Sequence, residues 1–307
     1  MNKKHSVVTL GTFDGVHLAH QKMLKKTVAL ARKNGRVSCA ITFSFPPRLF
    51  FKPSSEPVLL TTAAEKKWIL QSLGIEKILI LKFDKKLSKL SAEQFFLQYI
   101  LKRCNARVVI VGYNFRFGKN QEGTIAVLKN LGKKYKVQIL VMPQVKDSGG
   151  IPISSGRIRE YLKEGNVSDA KALLGRPYWI SGRVVKGKKL GHKLGFPTAN
   201  LKVDALKLLP RGVYIILAQE HKSRPGSAPW KGLANIGSRP TVQRGTPKII
   251  PEAHFFNCDK NLYGKTLDLF LIAYLRSEKK FSSLPMLKHA LEKDKIKAME
   301  YLNQRKI

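Results

Sequence analysis

The chain has 307 residues, a length that suggests two domains, and 43% of its residues are hydrophobic, which is enough to form packed cores. It carries 57 lysine and arginine residues against 20 aspartate and glutamate residues, so its net charge is +37. Because the sequence contains neither an apolar run of about 18 residues nor an apolar leader segment, it predicts no membrane-spanning helix and no secretory signal.

The first half of the chain alternates between predicted strands and helices. Apolar runs predict strands at residues 6–13, 37–43, 77–83, 107–112 and 137–143. Helical periodicity predicts helices at residues 17–34, 61–74 and 91–104. A further helical stretch is predicted between the strands at 107–112 and 137–143, and helices are predicted around 156–174. Apolar strands that alternate with helices indicate parallel β-α units and a doubly wound α/β sheet.

The pattern changes near residue 176. Shorter strands, punctuated by glycine and proline, are predicted at residues 179–185, 212–219, 230–237, 252–257 and 267–276, and a helix follows at 283–303. Short strands at these intervals indicate an antiparallel sheet or a small barrel. We therefore predict two domains, of residues 1–175 and 176–307.

The segment GTFDGVHLAH at residues 11–20 joins the first predicted strand to the first predicted helix. Ligands of a doubly wound sheet bind at such strand ends, and Gly11 and Gly15 permit close approach of the backbone. His17 and His20 share one face of the first helical turn, where free N–H groups and the helix dipole favour an anion. Two imidazoles there can donate hydrogen bonds to a phosphate. The alternatives are a zinc site, for which no third ligand is evident, and ordinary surface histidines.

Two later segments support the same site. Asn114 and Arg116 follow the fourth predicted strand. Ser154 and Ser155 open a predicted helix, where their hydroxyls can cap the helix or bind phosphate. Arg157 or Arg159, which follow them, can neutralise the charge of a phosphate.

The second half holds a glycine- and lysine-rich segment at residues 182–200 that lacks the spacing of a Walker A loop. Its glycines and lysines could still surround phosphates, or form a plain hairpin. The lysines are Lys186, Lys188, Lys189 and Lys193. Thr198 and Asn200 carry oxygens suited to Mg²⁺, which takes few protein ligands beside phosphate oxygens.

Glu252 and His254 alternate along a predicted strand and would face the same side of it. A carboxylate in that position can accept a hydroxyl proton during phosphoryl transfer. The alternative is an ordinary polar strand face.

Charge and cysteine usage bear on partners and location. On charge alone the chain could bind nucleic acid, but no basic cluster is interleaved with aromatic residues, and a solvated lysine surface explains the charge equally well. Cys39, Cys104 and Cys258 lie far apart and lack the spacing of a zinc site or the density of a disulfide scaffold. This usage favours a reducing, cytoplasmic setting.

Both halves resemble the bacterial bifunctional riboflavin kinase/FAD synthetases. The first carries a variant of the nucleotidyltransferase signature Gly-x-Phe-Asp-x-x-His-x-Gly-His, and further motifs follow in the family's order along essentially the whole chain. They read GTFDGVHLAH, LSAEQF, VGYNFRFG, ISSGRIR, LGFPTAN, RGVY, LANIGSRPT and EAHFFNCDKNLYGK. The resemblance implies a nucleotidyltransferase-like, Rossmann-like N-terminal domain and a six-stranded antiparallel β-barrel with a terminal helix.

The resemblance also implies two reactions. The C-terminal domain would phosphorylate riboflavin to FMN with ATP, and the N-terminal domain would transfer AMP from ATP to FMN, which gives FAD and pyrophosphate. Mg²⁺ is the implied cofactor, and the partners are the small molecules riboflavin, FMN and ATP. No specific nucleic acid and no membrane is expected, and the chain is expected to be a monomer or weak oligomer.

The site residues implied by the resemblance fall into two sets. His17 and His20 would act in adenylyl transfer. The ATP-binding residues around them would be Gly11, Phe13, Asp14, Gly15, Asn114, Ser154, Ser155 and Arg159. Glu252 would be the base of the kinase. The residues that bind its Mg-ATP would be Gly187, Gly195, Pro197, Thr198 and Asn200, with Thr198 and Asn200 as metal ligands.

The sequence departs from the family pattern in three places. Ala19 stands where the family usually has glycine, and residues 44–47 read Ser-Phe-Pro-Pro where an acidic-Pro-His-Pro loop is usual. Where the family has an aspartate-rich run after the Glu252 strand, residues 257–259 of this chain read Asn-Cys-Asp. An alternative is therefore a protein that acts only as a riboflavin kinase, with a weakened or inactive adenylyltransferase domain. Pantetheine-phosphate or nicotinamide-nucleotide adenylyltransferases are further alternatives, but they lack the LGFPTAN half.

Overall fold

The structure is a computed structural model that describes residues 4–52, 57–187, 195–221, 223, 228–239, 248–258 and 260–305. It divides the chain into two compact units between Ser155 and Gly156, and we call the part before this division the first unit and the part after it the second unit. The expected domain boundary between residues 175 and 176 stays a prediction.

The first unit is built on a parallel sheet with the strand order β3-β2-β1-β4-β5. Its strands are β1 (Ser6–Leu10), β2 (Val37–Phe43), β3 (Lys77–Leu81), β4 (Ala106–Gly112) and β5 (Gln138–Met142). The order reverses direction beside β1, as in a doubly wound sheet, so the predicted α/β class is confirmed. The carboxyl ends of β1 and β4 lie side by side at this reversal, which is where such sheets bind ligands.

Helices connect these strands. They are α1 (Leu18–Lys33), α2 (Arg48–Phe51), α3 (Ala63–Ser72), α4 (Lys85–Ser88), α5 (Ala92–Phe95) and α6 (Ile125–Lys134). A π-helix (Phe96–Arg103) continues α5, and a 3-10 turn covers Lys119–Gln121. Reciprocal capping boxes explain two of the helix starts, because Thr62 pairs with Glu65 and Ser91 pairs with Gln94.

The second unit contains a closed antiparallel barrel with the strand order β10-β7-β6-β11-β8-β9. The strands are β6 (Tyr178–Val185), β7 (Ala199–Lys202), β8 (Gly212–Glu220), β9 (Trp230–Arg239), β10 (Lys248–Phe255) and β11 (Thr266–Arg276). The helices α7 (Ser155–Lys163) and α8 (Val167–Leu174) precede the barrel, and α9 (Leu284–Gln304) follows it. The six-stranded barrel and its terminal helix are thus confirmed.

Helix α9 packs its apolar face on the barrel. Ala298 and Leu302 are fully buried against Val213 and Leu233. Ser283 caps the start of α9, because its hydroxyl accepts from the backbone N–H of Met286. The helix thereby lies beside β8 and β9, where it lines the second cavity described below.

Candidate active sites

The loop after β1 turns back sharply over residues 11–16. Phe13, Gly15 and Val16 have φ angles of 46°, 80° and 41°, in the left-handed region that favours glycine. Phe13 and Val16 are fully buried, so packing holds these two non-glycine residues in a costly conformation. This turn also explains why β1 ends at Leu10 and not at Phe13 as the apolar run predicted.

Asp14 ties this loop to a neighbouring segment. Its Oδ1 accepts hydrogen bonds from the backbone N–H groups of Leu60 (3.0 Å) and Thr61 (3.1 Å). The N–H of Gly15 donates to Thr61 Oγ1 at 3.0 Å, and the Ser155 hydroxyl donates to the Asp14 carbonyl at 2.8 Å. Asp14 is 2% exposed, so these contacts make it a support of the loop. Its role in ATP binding stays a prediction.

His17 and His20 lie together at the start of α1. Their rings stack with centroids 3.7 Å apart and planes 17° apart, and Phe13 meets His20 edge-on at 5.3 Å. Burial lowers the pKa of His20 well below its usual value, and the proximity of His17 and of the Lys66 ammonium lowers it further. His20 is therefore a neutral imidazole at pH 7.

The tautomer of His20 follows from its surroundings. Its Nδ1 is buried and has no hydrogen-bond partner among the described residues. A proton on Nδ1 would be an unpaired buried donor, so the tautomer with its proton on Nε2 is favoured. His17 is the N-cap of α1 and makes no side-chain cap, and the first turn holds no acidic residue. The helix start is thus suited to a phosphate.

A cavity of about 780 Å³ opens over this helix start. The predicted site residues that line it are Gly11, His17, His20, Asn114, Ser154 and Ser155. Phe13, Asp14 and Gly15 are buried in the loop beneath. Arg159 lies on α7 in the second unit, and its role stays a prediction. The structure thus brings together predicted residues from the segment after β1, the loop after β4 and the start of α7.

The rest of the cavity has an aromatic wall that the sequence did not predict. Its members are Phe43, Phe51, Phe83, Phe95, Phe115 and Phe117. Phe83 meets Phe43 and Phe51 edge-on at 5.8 and 5.7 Å. Phe43 ends β2 and Phe83 closely follows β3, so their place after strands could have indicated them. The departures Ala19 and Pro47 also line the cavity.

The barrel places Glu252 between two asparagines. Glu252 on β10 is the register partner of Asn200 on β7 and of Asn235 on β9. The Asn235 Oδ1 is buried without a hydrogen-bond partner in the described part of the chain. An unsatisfied buried polar atom of this kind indicates a place for a bound group. The sequence indicated Asn200 and Glu252, but not Asn235.

Further contacts arrange the segment that precedes β7. A Cβ on Gly187 would overlap the Asn200 amide, so only glycine fits there without displacing Asn200. His254 Nδ1 lies 2.9 Å from the Pro197 carbonyl, to which it donates. Burial lowers the pKa of His254, which favours the neutral ring. His254 therefore holds the Pro197 end of the segment against β10.

A second cavity of about 290 Å³ lies beside this strand set. Thr198, Asn235 and Glu252 line it, together with the ion pair between Arg276 and Asp294. The Arg276 guanidinium donates from Nε to both Asp294 oxygens (3.2 and 3.0 Å) and from Nη2 to Oδ2 (2.7 Å). This pair joins the end of β11 to α9.

Some predicted phosphate contacts lie outside the described residues. They are Lys188, Lys189 and Lys193. Gly195 lies within the described residues and has a φ of 80°, in the left-handed region that favours glycine. Among the described residues no group of three or more His, Cys, Asp or Glu side chains could hold a metal ion. The oxygens of Thr198 and Asn200 nevertheless have the hard-donor chemistry that suits Mg²⁺ bound together with ATP.

Comparisons with known proteins show two domains in this chain. The profile of the FAD synthetase family matches residues 1–157, and that of the riboflavin kinase family matches residues 174–302. A bifunctional riboflavin kinase/FMN adenylyltransferase from Buchnera aphidicola subsp. Schizaphis graminum is 36% identical over 299 residues, which cover 97% of this chain and 95% of that protein. The chain belongs to the bifunctional riboflavin kinase/FMN adenylyltransferase family. It is thus a transferase with an FAD synthetase domain followed by a riboflavin kinase domain.

Two further relatives carry the same description. The protein of Escherichia coli strain K12 is 34% identical over 295 residues, with 96% of this chain and 92% of that protein covered. The Bacillus subtilis protein is 34% identical over 302 residues, with 97% and 93% covered. Matches of this length place both domains and their order within the family.

A solved structure described as a macrolide-efflux protein from Streptococcus pneumoniae is also similar. It has a TM-score of 0.82 and 30% identity, and the match covers 96% of this chain and 94% of that one. In the residues that the structure describes, we find no helix long and apolar enough to span a membrane. The match to that solved structure covers the folds of both domains of this chain.

Proposed function

We propose that adenylyl transfer takes place in the cavity of the first unit. ATP phosphates bind at the start of α1, where His17 and His20 donate hydrogen bonds, and Ser154 lines the same cavity. A phosphate oxygen of FMN attacks the α-phosphorus of ATP, and the bond to pyrophosphate breaks. The Nε2–H of His20 stabilises the charge that grows on the transferring phosphate, because a preorganised donor needs little rearrangement in the transition state.

The aromatic wall supplies the other half of the site. An isoalloxazine ring is flat and aromatic, and stacking on aromatic side chains suits it. Phe51 and Phe83 lie in the same cavity as the histidine pair, so one pocket can hold the flavin and the nucleotide phosphates together. This combination of a stacked histidine pair and an aromatic wall in one cavity is the observation that carries the proposal. The volume of this cavity, about 780 Å³, is within the range of ordinary small-molecule sites.

Riboflavin phosphorylation is assigned to the second cavity. The 5′-hydroxyl of riboflavin attacks the γ-phosphorus of ATP, the bond from that phosphorus to ADP breaks, and the Glu252 carboxylate accepts the hydroxyl proton. Asn200 and Thr198 hold the phosphate side, and Mg²⁺ bound there with ATP would neutralise phosphate charge. The support is the register that sets Glu252 opposite both asparagines.

Two substitutions separate the activities. His20→Ala removes one donor and should lower FAD formation from FMN and ATP by about 10²–10³-fold, with riboflavin phosphorylation unchanged. Glu252→Gln keeps the shape of the side chain and removes the base, so FMN formation should fall by about 10²–10⁴-fold while FAD formation persists. The exposed Glu292, replaced by Gln, is the matched control for Glu252. If either variant lost both activities while folded, the assignment of one reaction to each cavity would be wrong.

The remaining partners follow from the same assignment. Riboflavin, FMN and ATP are the molecules that the two cavities bind, and a reducing cytoplasm is the proposed location. The latter is supported by Cys39, Cys104 and Cys258, all of which are free thiols.

A further inference from the structure

Lys66 is a buried charged residue that the two reactions leave without a role. It lies on α3, is 1% exposed, and is among the largest fully buried side chains. Burying an ammonium group is costly unless its donors are satisfied. Here Nζ donates to the carbonyl of Thr12 and to the carbonyl of Phe43, each at 2.7 Å.

The two acceptors belong to different parts of the first cavity. Thr12 follows β1 in the loop that leads to the histidine pair, and Phe43 ends β2 and belongs to the aromatic wall. The Thr42 hydroxyl also donates to the Thr12 carbonyl, at 3.0 Å. Lys66 therefore joins the phosphate side of the cavity to its aromatic side through the backbone.

The charge of Lys66 also acts on the site. Its ammonium lies near enough to His20 to lower the pKa of that imidazole, and the Asp14 carboxylate lies near enough to raise the pKa of Lys66. Burial is the larger effect and lowers the pKa of Lys66 to about 8. The group is thus mainly charged at pH 7 and neutral above pH 8. The titratable groups that interact with Lys66 are Asp14 and His20, and Glu65 precedes it on α3.

We propose that Lys66 is a positioning residue for adenylyl transfer, which fixes the Thr12 loop against the end of β2 and places a positive charge near His20. This inference rests on the proposed adenylyl transfer in the first cavity. A positive charge there favours the phosphate groups of ATP and of the transition state. Because a neutral amine can still donate to both carbonyls, the charge and the hydrogen bonds can be tested separately.

The test compares Lys66→Met with Lys67→Met. Lys67 is the next residue on α3 and is exposed, so its substitution removes the same charge without touching the cavity. We expect Lys66→Met to lower kcat for FAD formation by at least about tenfold, the usual scale of one desolvated charge, and to leave riboflavin phosphorylation unchanged. Lys67→Met should alter neither activity. Equal FAD formation by the two variants would overturn the proposal.

The pH dependence distinguishes positioning from simple structural support. In the wild type, kcat for FAD formation should fall as pH rises through about 8, where Lys66 loses its proton. The pKa of Lys66 in the folded chain lies below its value in the unfolded chain, so loss of this proton stabilises the folded state. The free energy of unfolding should therefore not fall over the same pH range. Lys66→Met should lack this decrease of kcat near pH 8, which we call the alkaline limb, and Lys67→Met should keep it. An alkaline limb at the same pH in Lys66→Met would contradict the role of the charge.

Two controls keep the result interpretable. Binding of inorganic pyrophosphate, measured by titration calorimetry in the absence of FMN and ATP, reports on the anion site without turnover. We expect Lys66→Met to weaken this binding by about tenfold. If wild type made no FAD but bound pyrophosphate more tightly than Lys66→Met, the proposed reaction would fail, and with it the role of Lys66 in adenylyl transfer, while its contribution to the anion site would stand. If Lys66→Met unfolded the first unit, Lys66→Arg, which keeps the charge, should restore the fold but not the alkaline limb; an alkaline limb retained in Lys66→Arg would overturn the proposal.

Discussion

At the scale of single residues, the neutral His20 links the stability of the first unit to pH. Unfolded histidine takes up its proton near pH 6.5, whereas burial holds the pKa of His20 in the folded chain well below that value. The unfolded state therefore binds the proton first as pH falls. The stability that the neutral ring contributes is complete above about pH 6.5 and is lost as pH falls toward the folded pKa.

This linkage predicts a measurable slope. Between pH 7 and 5, hydrogen exchange of the β1 and β4 amides, which report on opening of the first unit, should become faster than the intrinsic pH dependence explains. His20→Gln should reduce that excess, because glutamine does not titrate. His289→Gln, a change at an exposed position on α9, is the control and should leave the slope unchanged. Equal slopes in the two variants would show that His20 is not the group responsible.

At the scale of elements, the Arg276–Asp294 pair is the polar contact that holds α9 to β11. Asp294 is buried and Arg276 is largely so, and three hydrogen bonds join them. Removing one partner leaves an uncompensated buried charge. Asp294→Ala should therefore lower the free energy of unfolding of the second unit by about 3–5 kcal/mol. Denaturant unfolding followed by the fluorescence of Trp179 and Trp230 measures this.

A double substitution distinguishes the charge from the packing. Arg276→Met combined with Asp294→Leu replaces the pair by apolar groups of similar size, and such replacements are often neutral. We expect the double variant to recover most of the stability that Asp294→Ala loses. If Asp294→Ala alone cost less than about 1 kcal/mol, α9 would be held by its apolar contacts instead.

The elements also show what the sequence could predict. The loop after β1 was predictable, because a buried run, two glycines and two histidines at helical spacing lie next to each other in the chain. Strand β7 was missed, because it has four residues, Ala199–Lys202, and exists through pairing with β6 and β10. Asn235 was missed for the same reason, since only the barrel register sets it opposite Glu252.

Lys66 shows a different limit of sequence analysis. It stands in a Glu-Lys-Lys run on a predicted helix, a pattern typical of a solvated face. The structure buries Lys66 and exposes Lys67 because only the first faces the carbonyls of Thr12 and Phe43. Those acceptors are more than 20 residues away in sequence, so local periodicity could not separate the two lysines. The aromatic wall was missed for a similar reason, because it gathers phenylalanines from several connections of the sheet.

At the scale of the whole molecule, the charge of +37 bears on solubility and on binding. A diffuse lysine surface predicts weak, salt-sensitive association with duplex DNA, in the range of about 10⁻⁴–10⁻⁶ M at physiological salt. Fluorescence anisotropy with a labelled duplex over a salt series measures this. A nanomolar affinity that resisted salt would instead indicate a nucleic-acid function beyond the two reactions.

The most direct test of the account is the product mixture of the unmodified chain. Incubated with riboflavin, ATP and Mg²⁺, the chain should form FMN first and then FAD, and with FMN and ATP it should form FAD and pyrophosphate in equal amounts. Chromatography of the flavins over time separates these products. FMN that accumulates without any FAD, even with FMN and ATP in excess, would contradict the assignment of adenylyl transfer to the histidine pair and the aromatic wall of the first cavity.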